Sequence, residues 1–177
     1  MSKGKVALGI AVGLFAIYVV AAPFITVYRM KSAAENHDGE ALSDHIEFPS
    51  VRQSLKDQMN AMFTKKMVED EEMKDNPFAA LGAVFAGVIV DKMVDAYVTP
   101  AGITQLMAGE KPQSGAEQGD GSTGSTELKP LEDASMSYES LDKFVVKIKD
   151  ADGRVVKFVL RRRGIGWKLT EIIIPLE

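Results

Sequence analysis

Cysteine is absent from the 177 residues, which excludes disulfides, thiol catalysis, thiolate zinc sites, iron–sulfur clusters and lipoprotein processing. Histidine is almost as scarce: His37 and His45 are the only two, and Trp167 is the only tryptophan. Both histidines fall near acidic residues at expected helix ends, where a surface or capping role suits them better than metal binding or general-base work. The motifs that carry chemistry are incomplete. Asp150-x-Asp152-Gly153 is similar to the middle of a calcium loop, but its opening position is Ile148 and no glutamate closes it. Gly164-x-Gly166 lacks the third glycine and the helix of a dinucleotide site. Arg161, Arg162 and Arg163, with Lys157 and Lys168, are basic enough for phosphate, yet strand alternation divides them between two faces and only Trp167 interleaves. Asp91 and Asp95 share a helix face and read as solvated charge. The expectation is a chain that is not an enzyme, with no cofactor, no metal and no nucleic-acid partner.

Charge is missing from one stretch altogether. Lys3 and Lys5 precede an uncharged segment, Val6 to Tyr28, which Arg29 and Lys31 close. As a helix those 23 residues span about 34 Å, enough for a bilayer core of roughly 30 Å. The alternative is a cleaved signal, with small residues at Val20-Ala21-Ala22; Pro23 hinders a cut after Ala22, while a cut after Ala21 stays open. The apolar run continues past that point, which favours an uncleaved anchor. Basic residues are nearly balanced across it, so the expected orientation, amino terminus in the cytoplasm, rests on a small bias.

The remaining 146 or so residues fit one domain. Charge is unevenly spread: residues 1–31 carry a net +4, residues 32–135 a net −11 and residues 136–177 a net +3. Attraction between the acidic and basic parts within one fold explains this simply; a basic sheet face for an acidic partner is the sharper explanation.

Periodicity places the elements. Helix should continue through Glu35, with a turn at Asn36 to Gly39 and Asp38 as N-cap of a short helix. A long helix follows Pro49, with Val51, Leu55, Met59, Met62, Phe63 and Met67 on one stripe. Phe78 to Val90, apolar nearly all round, reads as the domain's buried central helix, and Thr99-Pro100 opens another. Residues 108–135 hold five glycines and little to bury, and read as a disordered linker. From Met136 the period becomes two, giving three or four antiparallel strands with turns at 150–153 and 162–164. The expected organisation is an anchor over 1–31, a helical half over 32–107, the linker over 108–135 and a β-meander over 136–177 completing the same domain, of class α+β.

Ala22-Pro23-Phe24, Ala41-Leu42, the run Glu47 to Lys56, Asn76-Pro77-Phe78 and Val98-Thr99-Pro100-Ala101-Gly102 together resemble domain of unknown function 2939. So do the closing Val159 to Arg162 and Trp167 to Thr170. Glu47 stands where that family is expected to have Asp, which keeps the charge. The resemblance implies a bacterial envelope protein and carries over no catalytic residue. The order of elements is also similar to the cystatin-like or nuclear-transport-factor-two-like fold, in which helices pack into a curved sheet.

These observations lead to a non-enzymatic, membrane-tethered interaction module of the bacterial inner membrane, most of it periplasmic, with a protein partner in the envelope. The alternative is a binder of a lipid or another apolar small molecule in a helix–sheet cavity. Met59, Phe63, Phe85, Tyr97 and Trp167 are the candidate lining or interface residues. Glu47 and Arg52, flanking Phe48-Pro49, are the candidate structural ion pair.

Overall fold

The computed structural model describes residues 3–69, 79–107, 134–149 and 153–175. Its order is α1 (Lys3–Glu35), α2 (Gly39–Ser43), α3 (Phe48–Glu69), α4 (Ala79–Tyr97), α5 (Pro100–Met107), β1 (Ser135–Ser140), β2 (Lys143–Lys149), β3 (Val155–Arg163) and β4 (Gly166–Ile173). The class is α+β, as the change of period requires. Of the expected linker at 108–135, residues 108–133 lie outside the described residues and Ser135 already begins β1; of the expected turn at 150–153, only Gly153 is described.

The four strands form one antiparallel meander in chain order. Phe144, Val146 and Ile148 on β2 pair with Leu160, Phe158 and Val156 on β3, which builds one continuous apolar face. β4 departs from strict alternation. Val159 pairs with Glu171 and Leu160 with Leu169, so Thr170 is left over as a bulge and its hydroxyl donates to the Val159 carbonyl at 3.3 Å. That extra residue allows both Leu169 and Ile172 to serve the same apolar cluster, with Val51 and Leu55 of α3.

Two helices seal this sheet. α1 is continuous through Pro23, and its lower part lies on the apolar face: Ala22, Val27 and Met30 pack with Phe144, Val146, Leu160 and Trp167. Proline removes one helical hydrogen bond and crowds the turn before it. The carbonyl freed by Pro23 is that of Val19; the next one, Val20, accepts the Tyr138 hydroxyl at 2.9 Å, a contact from the sheet. α1 then ends where His37 takes a left-handed backbone (φ 55°), and Asp38 caps α2 by accepting from Ala41 N–H at 2.9 Å. α3 runs along the free edge of β4. Its Gln58 amide donates to the Ile172 carbonyl at 2.7 Å and accepts from Ile174 N–H at 3.0 Å, closing part of an exposed strand edge.

One expectation is overturned here. The apolar segment before Val90 is not the buried centre of the domain. Among its described side chains Phe85 is 63% exposed and Val88 and Ile89 are exposed as well, while Val90 and Val94 are buried. α4 packs on α3, where Lys56 reaches Asp95 at 2.8 Å and Asp91 at 3.9 Å. It has one covered side, because the sheet's apolar face is already taken by α1.

The upper part of α1 has a different environment. Large apolar side chains from Leu8 to Phe15, Ile17, Tyr18 and Val20 are exposed, and the helix is long and apolar enough to cross a membrane.

Candidate functional site

Below α1, between its last turns and the sheet, lies a cavity of about 600 Å³. That volume falls within the range of roughly 300–1,000 Å³ seen for small-molecule sites. The helix side is built by Val27, Met30 and Ala34, the sheet side by Val146, Ile148 and Phe158. Leu42 of α2 and Ile103 of α5 close the flank. Polar groups occur only at the rim, where Lys31 and Glu35 pair at 3.6 Å. The lining can hold an apolar chain by area alone. A second depression of about 600 Å³ lies between α3 and β4. Its two arginines are ion-paired, Arg161 with Glu171 and Arg163 with Glu47, and Asp57 accepts a hydrogen bond from the Gln53 amide.

None of the five residues expected to line a cavity lines this one. Met59 and Phe63 are half-buried on α3, Tyr97 is half-buried at the end of α4, and Phe85 is exposed. Trp167 is 2% exposed, with ring contacts to Tyr138 at 5.8 Å and Phe144 at 6.3 Å and the Arg162 guanidinium 5.5 Å above its ring. The five residues are thus scattered over α3, α4 and β4. This lining is not visible in the sequence, because Val27 reads as part of the membrane segment and Met30 and Ala34 as its exit. The buried face of α1 did leave a signal: Ala22, Thr26, Met30 and Ala33 repeat at helical spacing on one stripe, with small and polar residues that a bilayer does not need.

The expected ion pair also changes partner. Glu47 is held by Arg163, whose Nε donates to it at 3.2 Å and whose Nη2 donates to its other oxygen, and not by Arg52. Glu47 precedes the first turn of α3 and its N–H donates to the Leu169 carbonyl at 2.9 Å, so its side chain is carried by the sheet edge. Arg52, five residues on, sits about 140° further round the helix. The Arg163 hydrogen bond holds the Glu47 carboxyl below the usual carboxylate range. A pair this exposed is worth at most about 1 kcal/mol.

His45 is the described titratable group whose state matters most for pH dependence. Burial is the main cause that lowers its pKa below the ordinary 6.5; Arg29 and Lys168 lower it further, and Asp44 opposes them. Below pH 6.5 the unfolded chain therefore binds a proton that the folded chain still refuses, so stability falls as pH drops towards the folded value and is constant below it. Thermal melting should occur at lower temperature at pH 5.5 than at pH 7.5, and His45→Gln should remove that part of the difference. An undiminished pH effect in the variant would assign it to other groups.

Among the described residues no group of three or more His, Cys, Asp or Glu is placed to hold a metal ion. Comparisons with curated proteins and with solved structures return no match, so the cystatin-like and nuclear-transport-factor-two-like analogies rest on element order alone. A family match does exist. It runs from α1 through most of α5 and stops before β1, so the similarity noted in the last two strands lies beyond it. Residues 12–106, just over half of the chain, match the family described as protein of unknown function (DUF2939), and the chain belongs to that family.

Proposed function

We propose that this chain is a non-enzymatic, membrane-tethered binding domain of the bacterial envelope, whose cavity takes an apolar molecule such as a lipid acyl chain. In this proposal α1 crosses the inner membrane with its amino terminus in the cytoplasm, and the domain stands in the periplasm. The observation that carries it is the apolar cavity of about 600 Å³ formed between the extension of α1 and the sheet. A helix that enters lipid at one end and walls an apolar cavity at the other puts the two environments on one rigid element.

The test is photo-crosslinking in membranes with a diazirine fatty acid, followed by mapping of adducts by mass spectrometry. The wild-type chain should carry adducts both on residues 8–20, from the bilayer, and on β2 and β3, from the cavity. Ala34→Trp, a large ring at the cavity mouth, should abolish the adducts on β2 and β3 and leave those on α1. Adducts confined to α1 in the wild-type chain would reject the cavity proposal.

A protein partner is the second proposal, favoured by the exposed Phe85, Val88, Ile89 and Met93 on α4. A polypeptide crosslinked to α4 in stoichiometric amount, with no adduct in the cavity, would make it the better one.

A further inference from the structure

The direction in which α1 leaves the domain has a geometric consequence. In an antiparallel meander the β1–β2 and β3–β4 turns lie at the same end of the sheet, and the β2–β3 connection lies at the other. α1 exits at the end with the two turns. Phe24 packs on Phe144 and Tyr138 at that end, with ring centroids 4.7 and 6.3 Å away, and Tyr138 bonds to Val20. One turn higher, Tyr18 shares a groove with Ile165 and Trp167.

What remains of α1 beyond this point is short. The uncharged part above Ala22, the first α1 residue buried against the sheet, runs from Val6 to Ala21, 16 residues, about 24 Å as a helix. A bilayer core is roughly 30 Å, and a span shorter than the core is accommodated by thinning the bilayer or by drawing flanking groups into it. The flanking groups here are suited to that. The two turn tips carry Leu141, 87% exposed, and Ile165, 76% exposed, the two most exposed large apolar side chains described. Behind them Tyr138 is 38% exposed, an aromatic ring of the kind favoured at membrane interfaces, and it packs on the buried Trp167. Arg29, Arg162 and Lys168 near that end have no acidic partner among the described residues, whereas Lys143, Arg161 and Arg163 are paired.

We infer that this end of the sheet rests on the bilayer surface, with Leu141 and Ile165 entering the boundary between headgroups and acyl chains. The partner is a lipid surface carrying anionic headgroups, which Arg29 and Lys168 face. The inference rests on the membrane tethering proposed above. It adds that the domain is not a ball on a string but is seated at one height and one tilt, by a helix and two turns that bound a single footprint.

The lack of cysteine makes the test direct. Full-length variants Phe15→Cys, Leu141→Cys, Ile165→Cys and Val155→Cys are labelled with an environment-sensitive fluorophore and reconstituted in phosphatidylcholine–phosphatidylglycerol vesicles. Quenching is read with spin-labelled lipids. Phe15 reports the tether, and Val155 reports the opposite end of the sheet. The labels at 141 and 165 should emit to the blue of the label at 155 and be quenched by spin labels near the headgroups, more strongly as phosphatidylglycerol increases. Labels at 141 and 165 that match 155, with Phe15 quenched from the bilayer centre, would overturn the seating and leave the tether standing. A Phe15 label that is not quenched would overturn both.

Discussion

Replacing Phe144 by alanine is expected to cost about 3–5 kcal/mol of stability, a large fraction of what a domain of this size has. Its side chain is fully buried, at 0% exposure, and sits where α1 meets the sheet. Ring centroids of Phe24, Tyr138 and Trp167 lie 4.7, 5.0 and 6.3 Å from its own, all edge-to-face. Truncation therefore removes buried area and three aromatic contacts together, each worth about 0.5–1.5 kcal/mol beyond burial. The loss falls on the joint between helix and sheet, so Trp167 fluorescence should report unfolding at lower denaturant concentration. Phe85→Ala is the matched comparison, because that ring is exposed and its removal should change stability by no more than about 0.5 kcal/mol. Equal midpoints for the two variants would mean that the aromatic cluster does not hold the domain together.

The second large effect is expected from two truncations of α1. A chain beginning at Ala22 keeps every α1 residue that packs on the sheet and should fold, while losing the part long and apolar enough to enter a membrane. It should melt cooperatively and be released from vesicles at high salt. A chain beginning at Asn36 loses Ala22, Val27 and Met30 from the face of Phe144, Val146 and Leu160. Burying one large apolar side chain is worth about 1.5–3 kcal/mol, so uncovering three of them costs an amount comparable to the net stability of a domain, about 5–15 kcal/mol. That fragment should aggregate or show no cooperative melt. A folded, soluble fragment 36–177 would show that α1 is not part of the core. The first truncation also bears on processing, since a cut after Ala21 would spare the fold.

Several features were legible in the sequence for local physical reasons. The caps at Asp38 and Thr99, the stripe from Val51 to Met67 and the alternation of Phe144, Val146 and Ile148 depend on residues within a few positions of one another. All are where the structure has them. The third turn falls at Gly164, whose φ of 62° favours glycine, one or two residues later than the arginines suggested. Other features depend on distant residues. Glu47 meets Arg163 across 116 positions, a choice made by the strip of chain that pairs Ile46 with Leu169. Composition reads the segment from Phe78 to Val90 as buried, but burial is set by what is left uncovered, and α1 packs on the apolar face of the sheet.

By itself the sequence determined a long apolar first helix, a change from helical to strand period near residue 135, a domain without thiol chemistry and the family to which the chain belongs. Only the tertiary structure decided where the apolar helix stops being available to a membrane and starts being core. Hydrophobicity cannot separate those two, because lipid and protein interior reward the same side chains. The difference lies in which residues of α1 face Phe144 and Leu160, and that follows from the register of the sheet, the bulge at Thr170 and the turn that ends α1 at His37.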